Sequence, residues 1–290
     1  MLEKKDVLFL YCLISIELLI LSHSEIAVNS VINSINIFKI SVLPALFPTM
    51  LIASLLIKNN VCLLIPNFIC TFFKKTFNFN KACTSIFILS MISGSPSNAK
   101  FIEEYLNNGL INEKQAESLL CCTHFINPLF VVFTVGIGVF NAKIIGIIII
   151  IIMFILNLIN AFILRKNFLS KEKEQIIYQK EPFIKQLQSS INSSFYTLGI
   201  ILGVIMTFQI ISSLIISIFN LNTFLKIILM GTLEITGGIV LLSKLTINIW
   251  LKFIIALAML IFGGFSIHLQ TFSILSKRKI RYKKYLIHRL

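Results

Sequence analysis

The chain has 290 residues, of which 57% are hydrophobic and only 13% are charged. Soluble domains carry roughly a quarter charged residues, so this composition excludes an ordinary soluble domain and predicts a membrane protein built from apolar helices. The formal net charge of +14 does not indicate a nucleic-acid partner, because the basic residues gather between apolar runs and at the C-terminus. The positive-inside rule describes this pattern for cytoplasmic segments.

The first half of the chain alternates apolar runs with short polar segments. Residues 7–22 predict an uncleaved first helix rather than a signal peptide, since no A-x-A cleavage pattern follows them. Residues 82–92 are too short to cross a bilayer, and residues 99–118 predict two short amphipathic helices joined at residues 107–109. The other apolar runs are residues 41–57, 61–73, 119–140 and 144–164, and the last of them predicts the clearest spanning helix.

A charged hydrophilic segment, residues 165–185, precedes the second half. Beyond it, residues 191–219 predict a long spanning helix, whereas residues 224–242 and 250–275 are interrupted by polar, glycine-containing clusters. We therefore expect about eight apolar segments with two re-entrant pairs among them, judged by run length. The expected division is an N-terminal membrane half (1–164), a hydrophilic linker (165–189), a C-terminal membrane half (190–276) and a basic cytoplasmic tail (277–290).

Both halves contain interrupted apolar segments in the same order. Such matched interruptions are typical of transporters that have structural repeats and a substrate site near the bilayer midplane. The predicted fold is all-α, a polytopic membrane helix bundle with two repeat halves containing broken or re-entrant helices. Broken backbone at membrane depth is tolerated only where protein or a water-filled cavity satisfies its polar groups. We expect the four interruptions, residues 93–98, 123–128, 234–238 and 263–270, to converge on one cavity.

The candidate substrate-binding residues lie in or beside these interruptions. The N-termini of half-helices present free N–H donors and partial positive charge, which suit carboxylates and phosphates. Glycines permit sharp turns at such places, although tight helix packing through small residues is an alternative explanation for each of them. The candidates are Ser93, Gly94, Ser95, Pro96, Asn98, Lys100, His124, Asn127, Pro128, Glu234, Thr236, Gly237, Gly263, Ser266, His268 and Gln270.

Four of these candidates are ionisable, and each has two interpretations. Glu234 lies inside an apolar run, where a carboxylate usually faces a cavity or an ion path. It would take up a coupling proton or bind substrate, or it would pair with a helix terminus as a structural group. His124 and His268 would serve a proton relay or act as buried structural donors. Lys100 would meet an anion or extend to the membrane interface.

The sequence shows no constellation of an enzyme. It lacks a G-x-S-x-G motif and a phosphate-binding loop, and Asp6 is its single aspartate, so catalysis is not expected. The six cysteines form no C-x-x-C pair, so we expect neither a metal site nor a cofactor. These features together predict a protein that moves a small polar solute across a bilayer.

Four motifs occur in an order that resembles a known family. They are residues 41–48 (SVLPALFP), 93–100 (SGSPSNAK), 233–238 (LEITGG) and 263–270 (GGFSIHLQ). From residue 41 to the C-terminus the chain is similar to the YlbJ family of sporulation integral membrane proteins (stage V sporulation protein V), which carry nucleoside-recognition gate domains. The resemblance implies a role in endospore formation, in which dipicolinic acid moves from the mother cell across the outer forespore membrane.

The resemblance leaves the solute and the exact role open. The family's first motif usually reads Gly-Tyr-Pro with a glycine before Ala-Lys, whereas Ser95 and Asn98 stand in those places here. The expected partners are dipicolinic acid or a similar small anionic or polar solute, the bilayer of the outer forespore or cell membrane, and other sporulation membrane proteins. The alternatives are a nucleoside or nucleobase transporter and a non-transporting scaffold for sporulation. A metal or siderophore permease is a weaker alternative, because the cysteines lack the spacing of metal ligands.

Overall fold

A computed structural model describes residues 4–169 and 182–289 of the chain. The described residues form helices and turns without β-strands, which confirms the prediction of an all-α polytopic helix bundle. Within these ranges, four helices are long and apolar enough to cross a membrane. They are Ser24–Lys58, Lys143–Ile163, Phe183–Phe219 and Ile249–Ile274, the last of which changes direction at a glycine.

The helices are numbered here in chain order. The helices before residue 170 are α1 (Lys4–Ser22), α2 (Ser24–Lys58), α3 (Asn67–Phe77), α4 (Lys81–Ser93), α5 (Ser97–Asn107), α6 (Glu113–Cys122), α7 (Phe130–Phe140) and α8 (Lys143–Ile163). Those after residue 181 are α9 (Phe183–Phe219), α10 (Thr223–Leu233), α11 (Ile235–Ser243), α12 (Ile249–Phe262), α13 (Gly264–Ile274) and α14 (Tyr282–Ile287).

The two longest helices, α2 and α9, run antiparallel against each other. Lys58 at the end of α2 donates a hydrogen bond to Ser189 near the beginning of α9. Further along the pair, the rings of Phe47 and Phe195 lie 5.1 Å apart. Buried apolar side chains fill the interface between α2 and α9. They are Val42, Leu46, Met50, Leu198, Ile201 and Ile205.

The proline-containing run 41–57 belongs to a longer helix than the sequence suggested. Helix α2 begins at Ser24, and the turn Phe38–Val42 within it is π-helical. This wider turn stands immediately before Pro44, which has no N–H to donate to the helical ladder. Local π-helical adjustment of this kind lets a membrane helix continue through a proline.

The apolar run 61–73 does not form one membrane segment. A short 3-10 turn, Val61–Leu63, is followed by Pro66, and α3 begins only at Asn67. Residues before a proline avoid helical conformation, so Pro66 divides the run. Helix α3 is an 11-residue amphipathic helix that carries Lys74 and Lys75 in its last turn. The helical part of this run is therefore shorter than the run itself, because run length alone does not detect such a boundary, and the expected count of about eight apolar segments stays a prediction.

All four interruptions expected from the sequence are breaks between helices. The first separates α4 from α5, and the second separates α6 from α7. The third separates α10 from α11, and the fourth separates α12 from α13. The two short amphipathic helices expected within residues 99–118 are also present as α5 and α6, and α6 begins with a capping box formed by Asn112 and Gln115.

The basic C-terminal segment is folded onto the bundle. Arg281 Nε lies 2.8 Å from Glu117 Oε1, and Lys284 Nζ lies 2.9 Å from Glu117 Oε2. Hydrogen bonds from the Arg281 guanidinium, helped by Lys284, lower the pKa of the Glu117 carboxyl to about 2. Arg278 pairs with Glu103 at 2.9 Å. The sequence predicted a cytoplasmic position for this basic segment, and in the structure its cations also bind carboxylates of α5 and α6, which lie far away in the sequence.

The predicted linker is only partly described. A 3-10 turn, Arg165–Phe168, follows α8, and α9 begins at Phe183, inside the predicted linker 165–189. Residues 170–181 of this segment lie outside the described residues. The division into two repeat halves stays a prediction. Basic residues gather at the ends of α2, α3 and α8 and in the C-terminal segment, so the positive-inside rule predicts that this face is cytoplasmic.

Candidate functional site

The four helix breaks meet around one cavity that also contacts α2 and α9. In this conformation its volume is about 60 Å³, below the range of roughly 300–1,000 Å³ that is common for small-molecule pockets, so a solute of that size enters only in a wider conformation. The convergence expected from the sequence is therefore observed. The lining residues are Ser41, Val42, Ala45, Leu46, Ser95, Pro96, Ile126, Asn127, Phe130, Ile201, Ile205, Glu234, Ile235, Thr236, Ser266, Ile267 and Gln270.

Gly94 brings the first break into direct contact with the second. It ends α4 at φ +76°, and a Cβ atom on it would lie 2.4 Å from the backbone nitrogen of Asn127. The next residue, Ser95, donates its backbone N–H to the carbonyl of Phe125 at 2.6 Å. Only glycine combines this conformation with such a close approach. Gly94 therefore has a structural role beside the cavity and does not line it.

Asn127 joins the second break to neighbouring segments by hydrogen bonds. Its Nδ2 lies 3.1 Å from the carbonyl oxygen of Ser93 and 3.2 Å from that of Ala45 on α2. Its Oδ1 accepts a hydrogen bond from the backbone N–H of Leu129 at 2.9 Å, close to the start of α7. Pro128 begins the helical turn that leads into α7, a position where its missing N–H costs little. Asn127 both lines the cavity and holds three segments together.

Glu234 caps the helix that it precedes. Its two carboxylate oxygens accept hydrogen bonds from the backbone N–H groups of Thr236, at 2.9 Å, and Gly237, at 2.6 Å. The side chain is buried and lines the cavity. This geometry matches the structural interpretation, in which the carboxylate pairs with a helix terminus.

The fourth break packs on the imidazole of His124. Gly263 has φ +84°, and a Cβ atom on it would lie 2.7 Å from His124 Cε1. The Nδ1 atom of His124 lies 3.3 Å from both Ser95 Oγ and Tyr285 Oη. The side-chain amide of Asn157, on α8, forms two hydrogen bonds with the backbone of His124. It accepts one from the N–H group and donates one to the carbonyl oxygen. His124 thus links the breaks behind the cavity without lining it.

Helix α13 directs its candidate residues to two different sides. Ser266 and Gln270 line the cavity. His268 lies on another face, where its Nδ1 is 3.0 Å from Tyr282 Oη and its Nε2 is 2.8 Å from the carbonyl oxygen of Phe262. Both ring nitrogens of His268 therefore have structural partners away from the cavity. The expected proton relay gains no geometric support at His268.

Three other candidates occupy the first break and α5 without reaching the cavity. Ser93 donates its hydroxyl to the carbonyl oxygen of Thr49 at 3.3 Å. Asn98 donates through Nδ2 to the carbonyl oxygen of Thr123 at 3.2 Å. Lys100 is buried on α5 with no hydrogen-bond partner for its Nζ atom, which does not match the expectation that it extends to the membrane interface. Of the sixteen sequence candidates, those that line the cavity are Ser95, Pro96, Asn127, Glu234, Thr236, Ser266 and Gln270.

The helix N-termini at the cavity differ in how they are capped. Glu234 caps α11, and Asn127 Oδ1 accepts from the first N–H groups that lead into α7. Helices α5 and α13 begin at the cavity after Pro96 and Gly263, and neither has a side-chain cap. In α5 the N–H groups of Asn98 and Ala99 already donate to the carbonyl oxygens of Gly94, at 3.3 Å, and Pro96, at 3.0 Å, so this end offers the partial positive charge of a helix terminus without those two donors. The cavity therefore has two helix ends with partial positive charge and no side-chain cap, one on α5 and one on α13.

Helices α2 and α9 also line the cavity, which the sequence did not predict. Ser41 and Ala45 line the cavity from α2, and Ile201 and Ile205 line it from α9. The order of the motif 41–48 was an available signal for the first pair. The isoleucines belong to a uniformly apolar run, where nothing in the sequence distinguishes a cavity-facing residue from a lipid-facing one.

The fold and the cavity define a multi-pass integral membrane protein whose broken helices meet inside the bundle. The chain is similar to sporulation integral membrane protein YlbJ of Bacillus subtilis (strain 168), with 26% identity over 310 aligned residues. The alignment covers 93% of this chain and 76% of that protein. No family model and no solved structure matches the chain.

Proposed function

We propose that this chain is a sporulation membrane transporter that moves dipicolinic acid from the mother cell across the outer forespore membrane. The observation that carries the proposal is the cavity at which four helix breaks meet inside a multi-pass bundle. Broken helices around a central site are typical of secondary transporters. The similarity to a protein named for sporulation supports the cellular process.

The cavity has features that suit an aromatic dianion. Dipicolinic acid carries two carboxylates on one flat ring. The N-termini of α5 and α13, which have no side-chain cap, offer partial positive charge to carboxylates, and the apolar side chains of Val42, Leu46 and Phe130 offer contact to a ring. Ser266, near the beginning of α13, and Gln270, in its second half, add neutral polar groups.

One observation favours a second candidate, transport of a nucleoside or nucleobase. Among the described residues that line the cavity, none is a lysine or an arginine. A dianion would therefore depend on helix termini and neutral donors for its binding. Neutral amides and hydroxyls such as those of Asn127, Ser266 and Gln270 also suit the polar edge of a base. The two candidates differ in the charge of the solute, which makes them separable by experiment.

The test is uptake of radiolabelled dipicolinate into proteoliposomes that contain the purified full chain, with radiolabelled uridine in parallel. We expect saturable dipicolinate uptake that unlabelled dipicolinate inhibits and uridine does not. Gln270→Leu removes a polar group from the cavity with little change in volume, so it is expected to reduce uptake at least about tenfold if that group bonds the solute. Leu269→Met is the matched control, because Leu269 is exposed on the same helix and does not line the cavity.

The outcomes separate the hypotheses. Uptake of uridine but not of dipicolinate would indicate a nucleoside transporter. No uptake of either solute by folded protein would favour the scaffold. Equal loss of uptake in both variants would show that α13 is sensitive to any change, and the role assigned to Gln270 would then be rejected.

A further inference from the structure

A second polar cluster lies inside the bundle, outside the lining of the central cavity. It is formed by α2, α5 and α9 and contains two lysines, a glutamate and several serines. The members are Ser54, Lys58, Ser97, Lys100, Glu104, Ser190 and Ser194. We call it the Lys100 cluster.

Lys100 is the central group of the cluster. Its side chain is only 6% exposed, and its Nζ atom has no hydrogen-bond partner. A buried ammonium group without a partner is costly. Glu104 stands one turn further along α5, and its Oε2 atom is also buried without a hydrogen-bond partner. The two side chains therefore lie close enough to interact electrostatically without bonding each other.

Four hydroxyl groups on α2, α5 and α9 also lack partners. On α5, Ser97 precedes Lys100 by three residues, so the two side chains share a face of the helix. Ser54 of α2 and Ser190 and Ser194 of α9 are completely buried, and the hydroxyl oxygens of all four serines have no hydrogen-bond partner. Serines alone would be explained by tight packing of α2 against α9. Close packing does not explain a buried lysine beside them.

The buried polar atoms of the cluster lack partners. Lys58 of α2 is half-buried and donates a hydrogen bond to Ser189. Lys100 Nζ and Glu104 Oε2 are buried, and neither atom has a hydrogen-bond partner. Buried charge is normally compensated by an opposite charge and by hydrogen bonds. A small anion would supply both, because its oxygens accept from Lys100 and from the serine hydroxyls.

We propose that the Lys100 cluster is a binding site for one small oxyanion, such as a carboxylate or inorganic phosphate, separate from the central cavity. The cluster continues along α5 from Pro96, which lines that cavity, toward Lys58 at the basic face of the bundle. An anion bound there stands between the basic face and the cavity. The proposal concerns binding alone and holds whether the central cavity takes dipicolinate or a nucleoside.

The test measures how anions stabilise the purified full chain in nanodiscs of zwitterionic lipid at constant ionic strength. The probes are inorganic phosphate and benzoate, and the readout is the rise of the melting temperature with probe concentration, which yields an apparent Kd. We expect saturable stabilisation by at least one probe. Lys100→Met is expected to raise the apparent Kd at least about tenfold, because it removes a charge-assisted hydrogen bond. It is also expected to leave the anion-free chain at least as stable as before.

A variant that is expected to change the apparent Kd in the opposite direction distinguishes a binding role of the cluster from a structural one. Glu104→Gln removes the negative charge beside the anion, so it is expected to lower the apparent Kd several-fold. Lys114→Met, at an exposed lysine of α6, is the matched control and leaves the Kd unchanged. Gln270→Leu in the central cavity also leaves this Kd unchanged, which separates this site from the one proposed for transport.

Three results would overturn the proposal. The first is an unchanged Kd in Lys100→Met, and the second is a weaker Kd in Glu104→Gln. The third is a loss of stability of anion-free Lys100→Met, which would show that Lys100 is structural. A lipid phosphate is a second source of the same chemistry, so nanodiscs containing phosphatidylglycerol form another arm. If the lipid is the natural ligand, wild-type protein melts higher in those discs, and Lys100→Met does not.

Discussion

The contact between the first two helix breaks predicts that one glycine is far less replaceable than another of the same conformation. Gly94 and Gly109 both have positive φ angles, +76° and +67°. A Cβ atom on Gly94 would lie 2.4 Å from the backbone nitrogen of Asn127, whereas a Cβ atom on Gly109 would have nothing within 4 Å. Substitution by alanine at the two positions therefore differs in the steric clash and not in the backbone angle.

The magnitude follows from the two contributions. A left-handed conformation costs a non-glycine residue about 1–2 kcal/mol, and Gly109→Ala is expected to lose only that amount. Gly94→Ala must also push the breaks apart, because backbone atoms cannot rotate away. The bonds at risk are Ser95 N–H to the Phe125 carbonyl and Asn127 Nδ2 to the Ser93 carbonyl. At about 1 kcal/mol each inside a membrane protein, the total cost for Gly94→Ala is about 3–4 kcal/mol.

The assay is thermal unfolding of the purified chain in detergent, with wild type and the two variants side by side. A cost of 1 kcal/mol shifts the melting temperature by about 2–4 °C in proteins of 150–250 residues. We therefore expect Gly94→Ala to melt about 10 °C below wild type, and Gly109→Ala to melt about 3–5 °C below it. Equal shifts in the two variants would refute the close approach of Gly94 to Asn127, and with it the geometry of the cavity.

The remaining predictions concern three side chains. Asn127→Ala removes the hydrogen bonds that join α2, the first break and α7, so we expect a loss of about 2–4 kcal/mol in thermal unfolding; a loss below about 1 kcal/mol would contradict that role. Glu117→Gln is expected to destabilise the chain near pH 6. The ion pair lowers the pKa of Glu117 to about 2, so its stabilising effect is present above the ordinary pKa of a glutamate and is lost as the pH falls toward 2. The melting temperatures of variant and wild type are therefore expected to converge at that pH. A difference in melting temperature that does not depend on pH would contradict the ion pair with Arg281. His268→Gln is expected to lower stability while uptake per folded molecule is unchanged, because both ring nitrogens of His268 bond structural partners; lost uptake in folded protein would restore His268 to the site.

The breaks in the helices were predictable from the sequence because their chemistry is local. Gly94, Pro96 and Asn127 interrupt apolar runs, and residues of these types end or begin helices for reasons of backbone conformation and hydrogen bonding. The same reasoning predicted that the breaks would meet, since free backbone groups at membrane depth need partners. The boundary at Pro66 carries the same kind of signal, and the length of the surrounding apolar run concealed it.

The direction of individual side chains was not predictable in the same way. His268 and Gln270 are two residues apart on α13, which turns about 100° per residue, so they point to nearly opposite sides. Which of them faces the cavity depends on the rotation of the whole helix, and that is set by packing against distant segments. The sequence also did not decide between the two interpretations of Glu234. Glutamate is not among the usual N-cap residues, and its capping of α11 is seen only in the folded break.

The docking of the C-terminal segment was also outside the reach of local reasoning. Its cations have no acidic neighbours in the sequence, and their partners on α5 and α6 lie more than a hundred residues earlier. Arg289 donates to the carbonyl oxygens of Leu120 and Cys121 at the end of α6, where a helix C-terminus attracts positive charge. Tyr285 of the same segment reaches His124 behind the cavity. The segment therefore supports the second break.

The capping pattern of the breaks gives the proposed transport function its most specific consequence. Glu234 and Asn127 already occupy the N-termini of α11 and α7, so among the described helices that begin at the cavity α5 and α13 are the ones without a side-chain cap on their positive ends. Helix α5 follows the first break in the chain and α13 follows the last, so these two ends belong to different halves of the predicted division. A solute with two acceptor groups on a rigid frame would bridge both ends, whereas a solute with one would leave a terminus unpaired. On the proposed function, analogues of dipicolinate that lack one carboxylate are therefore expected to bind at least about tenfold more weakly, because one charge-assisted set of hydrogen bonds is lost. Competition of pyridine-2-carboxylate against labelled dipicolinate in the uptake assay measures this difference, and equal potency of the two would exclude simultaneous binding at α5 and α13.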